Sequence, residues 1–318
     1  MTTYIIRRLI QGIFILMIIT TVSFGLTRLS SDPMAQYTLG RVSAADRERI
    51  RKNLGLDQPL PVQYFRWLSL AVRGDFGYSI TNRLPVSELI MQRIPQTLVL
   101  MVTAEVVIIV LSALLGIYSA VKQYSLFDNV LTGLSFIGFS LPIFFIALTL
   151  MFIFAVQFKV WGLPYLPTGA DVWDFKDPYE LVIHLILPVA SLAIIQVAGY
   201  TRYLRSSMLE VLSQDYIRTA RAKGLVERAV VVRHALRNAA LPLVTLIGLD
   251  APALLAGAIV TETVYSWPGM GRLFWQQAGR GDYPTVMAIL LIVSTAVVFF
   301  QIVTDVAYTM IDPRIRLS

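Results

Sequence analysis

An all-α, multi-spanning membrane protein is the fold class this sequence predicts, and three observations predict it. Of its 318 residues 56% are hydrophobic and only 15% charged, with a mean hydropathy of +0.66, too apolar for one soluble core. The apolar residues come in runs of about 20, the length a helix needs to cross the hydrocarbon of a bilayer. Those runs do not alternate in segments of about 10 residues, as the strands of a membrane barrel do.

Six stretches have the length of a span: 9–29, 97–121, 133–158, 181–201, 239–261 and 285–304. Arg7 and Arg8 before the first resemble the charged start of a signal peptide. Its apolar run is longer than the 7–15 residues typical of such peptides, however, and no small-x-small cleavage site follows in "TRLSSDPMA". A retained span is therefore expected. His184 and Pro188 interrupt the fourth stretch, and Asp250 and Pro252 the fifth. There is no cysteine, so disulfides and thiolate metal sites are excluded.

Orientation follows from the basic residues. With the N-terminus in the cytoplasm, thirteen of the 27 Lys and Arg residues fall in inside segments and four in short outside loops. The 30–96 segment is long enough to translocate largely regardless of its charge. Six helices with both termini cytoplasmic are expected. The net charge of +7 reflects this bias and gives little reason to propose nucleic acid as a partner, whereas membrane lipid is implied.

Two polar segments are long enough for structure of their own. In the outer one, 30–96, Ser43 is a plausible N-cap for a short helix ending at Asn53 before Gly55. Pro59 and Pro61 read as an extended link to an amphipathic helix, Val62 to Val72, stopped by Gly74 and Gly77. Its aromatic residues suit a helix on the membrane surface, anchoring the loop or meeting an external partner. In the inner segment, 202–238, Ser213 can cap a helix from Gln214 to Lys223. Gly224 sits where a residue with φ > 0 would end it. A second helical run follows from Val226 to Arg237, before Pro242. The small residues Ala220 and Ala222 are expected to be exposed, letting another protein approach. The positive-inside rule explains the arginines of a plain solvated loop, but not this helix patterning with a stop glycine. A docking element for a cytoplasmic partner accounts for both.

Catalytic signatures are missing: there is no GxxxxGK[ST], HExxH or GxSxG pattern. No catalytic, cofactor-binding or metal site is therefore expected, and the chain is read as no enzyme. His184 alone makes a poor metal site. Glu105, Asp250 and Asp305 lie within or at the edges of spans, where a carboxylate is costly and faces protein or water. Asp250, between Gly248 and Pro252, is the candidate for a translocation path; the alternative is a carboxylate paired inside the bundle.

Several motifs resemble those of permease subunits of binding-protein-dependent ABC importers of the dipeptide, oligopeptide and nickel type. They are "YIIRRLIQGIFILMIITTVSF", "LGLDQPLPVQYFRWL", "GDFGYS", "DYIRTARAKGL", "RHALRNAALP", "ETVYSWPGMGRL", "DYP" and the terminal "DPRIR", and they run the length of the chain. The resemblance implies one type I importer transmembrane domain over 1–318, in a bacterial or archaeal cytoplasmic membrane. In this wider family the cytoplasmic loop carries Glu-Ala-Ala-x-x-x-Gly followed by Leu-Pro, a coupling helix seated in an ATPase subunit. Here Gly224 takes the glycine position and Ala220 the second alanine, with Arg218 and Thr219 replacing Glu-Ala. The coupling residues implied are Arg218, Thr219, Ala220, Arg221, Ala222 and Gly224, with Arg218 or Arg221 meeting an acidic group of the partner. Also implied are a second permease subunit, two ATPase subunits that bind ATP and Mg²⁺, and an extracytoplasmic binding protein. Peptide is the expected cargo, with nickel chelates, glutathione and oligosaccharides as alternatives. A secondary transporter or channel would need carboxylates or broken helices in repeated halves, and no internal repeat is evident. A structural or sensory subunit would show no substrate-dependent ATPase activity with such partners.

Overall fold

A computed structural model describes residues 2–30, 55–169, 177–240, 243, 246–248 and 258–311. The expected helix over 43–53, most of the fifth span and Asp250 lie outside these residues. In chain order the helices are α1 (Thr2–Ser30), α2 (Leu60–Ala71), α3 (Val86–Met91), α4 (Ile94–Val121), α5 (Leu126–Ser140) and α6 (Ile143–Val160). They continue with α7 (Pro178–Leu212), α8 (Asp215–Ala222), α9 (residues 227–239), α10 (Met270–Gly279) and α11 (Tyr283–Ile311). Residues 258–264 are also helical. Among the described residues five segments are long and apolar enough to cross a membrane: Ile6–Leu29, Val86–Val121, Ile143–Val160, Pro178–Leu212 and Tyr283–Thr304. The contacts divide the chain into two compact units, Met1–Pro95 with Arg272–Ile302, and Gln96–Gly271 with Val303–Ser318.

In the first unit α1 packs on α11. A Cβ at Gly12 would lie 2.6 Å from Val298 Cγ1, so glycine permits the close approach. The amphipathic helix α2 starts two residues before the expected position. Pro61 sits in its first turn, where proline's missing N–H costs nothing, and only Pro59 remains outside as the cap. Tyr64, Trp67 and Leu68 turn to Phe24 and Met17 of α1 and Met287 of α11. The Tyr64 hydroxyl lies 2.9 Å from that of Thr20. Gly74 and Gly77, with φ of +80° and +75°, carry the chain away from α2. Beyond them, Ser79 Oγ donates to the buried Asp282 carboxylate, which also receives the Thr81 N–H at 3.3 Å. The "GDFGYS" and "DYP" motifs, 203 residues apart at this bond, thus meet around one carboxylate.

In the second unit α7 is the central helix. It does not stop at 201 but runs on to Leu212, because Leu204 and Met208 continue its buried face while the polar residues occupy the other side. Pro188 is accommodated inside it; a proline removes a single N–H from the ladder, and the helix continues on either side. The expected third span, 133–158, is instead two helices. Leu141 is extended (φ −93°, ψ 136°) because Pro142 disfavours α backbone in the residue before it, so α5 ends and α6 begins there. A π-helical stretch, Phe152–Gln157, lies within α6, and another, Val230–Ala235, within α9.

Candidate coupling segment

Helix α8 has two distinct faces. Ile217 and Ala220, three residues apart, lie on one side and are buried in a cluster with Val230, Val231 and Ala235 of α9 and Met208 of α7. Arg218, Thr219, Arg221 and Ala222 are exposed. Ala220 is only 7% exposed, which corrects the expectation that it presents a small surface to a partner. Its methyl group instead closes α8 against α9. The start of the helix also differs from expectation. Gln214 is the N-cap and supplies no side-chain hydrogen bond, while Ser213 ends α7, its Oγ donating to the Glu210 carbonyl at 2.7 Å.

The far end of α8 matches the sequence pattern. Gly224 has φ +76°; its N–H donates to the Arg221 carbonyl (2.9 Å), and that of Leu225 to the Ala220 carbonyl (3.4 Å). This is a Schellman termination, in which the glycine's left-handed backbone lets the last carbonyls find donors. Nothing lies within 4 Å of a Cβ built at Gly224, so backbone conformation alone calls for glycine there. Two side-chain links then hold the turn. The Arg221 guanidinium grips Glu227 through Nη2 (2.7 Å to Oε1) and Nε (3.1 Å to Oε2). Those bonds hold the Glu227 carboxyl below its usual range and raise Arg221 above its own. Asn238 of α9 donates to the Tyr216 hydroxyl at 2.8 Å. Arg218 meets Asp215 only loosely, at 3.4 Å, both side chains being exposed. Helices α8 and α9 therefore form a stiff hairpin with a basic outer face.

Between α5 and α7 is an ion pair that the sequence reading missed. Arg205 of α7 donates from Nε and Nη2, each at 2.6 Å, to the two oxygens of Asp128. Asp128 is 1% exposed and also accepts from Ser119 Oγ and, at 2.9 Å, from the Tyr124 N–H. The available signal was "SLFD" at 125–128, a capping pattern: Ser125 Oγ accepts from the Asp128 N–H at 3.2 Å. Its long-range partner could not be read from that pattern.

The "ETVYSWPGMGRL" motif forms a second buried polar cluster. Thr97 Oγ1 donates to Glu262 (2.7 Å) and accepts the Met270 N–H (2.8 Å), and Trp267 Nε1 donates to the Gln96 carbonyl (2.9 Å). Glu262 and Trp267 are fully buried. The two glycines of the motif are packing positions: a Cβ at Gly269 would meet Glu262, and one at Gly271 would lie 2.5 Å from Ile259 Cα. Of the other intramembrane candidates, His184 turns to its own helix, with Nδ1 2.8 Å from the Glu180 carbonyl. Glu105 is half-buried on α4.

Residues 112–317 match the family described as "Binding-protein-dependent transport system inner membrane component", and residues 1–101 its N-terminal counterpart. The chain is 43% identical to the oligopeptide transport system permease protein AppB of Bacillus subtilis, over 99% of this chain and 100% of that one. It is 38% identical to the dipeptide transport system permease protein DppB of Escherichia coli K12, over 99% of each. Against the glutathione transport system permease protein GsiC of Salmonella paratyphi A the identity is 39%, again over 99% of each.

Proposed function

Because the chain belongs to the family of inner membrane components of binding-protein-dependent transport systems, we propose that it forms half of the translocation pathway for di- and oligopeptides. The chain is a multi-pass permease subunit of an ABC importer of the cytoplasmic membrane. Peptide as cargo is supported by the names of the oligopeptide and dipeptide relatives; glutathione, itself a short peptide, is the second reading because of the 39% identical relative.

In this reading α8 and α9 face the cytoplasm and residues 30–96 face outside. The partners are a second permease subunit, two ATPase subunits and an external binding protein. ATP and Mg²⁺ bind to the ATPases, and this chain has no catalytic site or cofactor of its own. The observation that carries the coupling role is the form of α8, buried on one side, basic and exposed on the other, and clamped at its end. A helix tied to its neighbour in this way moves as a rigid body, so ATPase closure can be transmitted to the spans as a rotation. Arg218, Thr219 and Ala222 form the docking face, and Arg218 supplies the charged contact because Arg221 is held by Glu227. Ala220 and Gly224 support that face from behind and from its end. Asp250 is assigned to the pathway.

The test is reconstitution of the full importer in proteoliposomes with uptake of a labelled tripeptide. Ala222→Trp adds bulk to the docking face without touching the buried one, and should abolish ATPase co-purification and uptake while leaving the permease pair assembled. Wild-type uptake by this variant would remove α8 from the interface. Competition by glutathione stronger than that by tri- and tetrapeptides would favour the second reading over the first.

A further inference from the structure

We propose that the first compact unit binds one anionic phospholipid, its headgroup beside Arg28 and Arg66 and an acyl chain in the groove between α1 and α11. Two openings on this unit carry the inference, which does not depend on what is transported. The first is a cavity of about 400 Å³ with Arg28, Gln63, Arg66, Trp67, Asp75 and Tyr283 in its lining. The second is an apolar groove of about 640 Å³, bordered by Ile13, Leu16 and Met17 of α1 and by Leu291, Ala296 and Phe299 of α11. Phe76 lines both, so the polar cavity opens onto the groove.

Gln63 and Trp67 of α2 stand with Arg66 in the lining of the polar cavity. Among the described lining residues two arginines stand against one aspartate, a net positive charge, and Arg66 forms no ion pair with any described residue. The Arg28 guanidinium is held between the Phe24 and Tyr283 rings, at 5.0 and 5.1 Å from their centroids.

Dimensions favour a lipid over a free anion or another helix. Ile13 and Arg28 are fifteen residues apart on one helix, about 22 Å. That is about half the 40–45 Å thickness of a bilayer with its headgroups. With Ile13 near the midplane, Arg28 lies at headgroup level, so one molecule carrying both a phosphate and a chain fills both openings. A free anion would leave the groove empty, and an apolar helix would leave the cavity's charge unmet.

The experiment uses the complete importer complex, delipidated in mild detergent and titrated with phosphatidylglycerol or phosphatidylcholine while native mass spectrometry counts bound lipid. One phosphatidylglycerol per copy of this chain is expected, about 10-fold preferred over phosphatidylcholine, on the scale of one charge-assisted hydrogen bond. The double variant Arg28→Gln/Arg66→Gln should erase that preference. Ala296→Phe, which fills the groove and keeps the charge, should weaken both lipids about 10-fold. Arg73→Gln, exposed and outside the cavity, should change nothing. Equal retention of the two lipids by the wild type overturns the proposal, as does unaltered binding in the lining variants. Displacement of the lipid by millimolar glycerol 3-phosphate overturns it too, because the chain would then contribute nothing. Where the arginine variant fails to assemble, Ala296→Phe decides.

Discussion

Replacing Arg205 with glutamine should strand the Asp128 carboxylate in a place where water does not reach it. The pair is bidentate at 2.6 Å, and Asp128 is 1% exposed. Breaking a fully buried pair by removing one partner costs about 3–5 kcal/mol. Here the Arg205 side chain keeps 24% of its exposure, and Ser119 and the Tyr124 N–H still serve the carboxylate. Those two facts lower the expected loss to about 2–3 kcal/mol, or roughly 30- to 150-fold in the unfolding equilibrium. The assay is SDS titration of the chain in mild detergent micelles, followed by tryptophan fluorescence, on Asp128→Asn, Arg205→Gln and the double variant. The cycle should give a coupling of about 1.5 kcal/mol or more, because each single change removes the same contact. A coupling under about 0.5 kcal/mol would refute the reasoning, since the two groups would then act independently.

Gly224→Val should cost about 1 kcal/mol or more through its left-handed backbone, and Gly224→Asn clearly less; equal hydrogen exchange around the turn in both would contradict the Schellman reading. The Arg221–Glu227 clamp should weaken in acid. Glu227 titrates lower in the fold than in the unfolded chain, so its contribution is complete above the unfolded carboxylate pKa of about 4.3 and fades as pH falls through the folded value. Exchange protection at Leu225, corrected for intrinsic rate, should show that loss in the wild type and be flat with pH in Glu227→Gln. Gly271→Ala places a methyl group 2.5 Å from the Ile259 Cα, and overpacking against backbone should cost about 1–3 kcal/mol, read as a lower unfolding midpoint in detergent. Thr97→Val keeps the shape but removes the hydroxyl that donates to Glu262 and accepts the Met270 N–H, a loss of about 1–3 kcal/mol by the same assay.

What the sequence by itself determined are the features whose cause is local. Among the described residues the runs 9–29, 97–121, 181–201 and 285–304 each fall in a helix long and apolar enough to span, because the bilayer sets that length, whereas 133–158 is cut at Pro142. The end of α8 was legible for the same kind of reason: a helix stop with φ > 0 calls for glycine within the turn itself, and Gly224 supplies it. The tertiary structure decided everything that turns on a partner far along the chain. Helix α7 passes residue 201 because Leu204 and Met208 have a surface to pack on, and Ala220 is buried because α9 folds back over it. Asp128 meets Arg205 only because the fold brings that residue to it from 77 positions away, and Ser79 gains its acceptor only when Asp282 arrives. Hydropathy and backbone propensity are properties of short windows, whereas burial and the pairing of charges depend on which surfaces meet after the chain has folded.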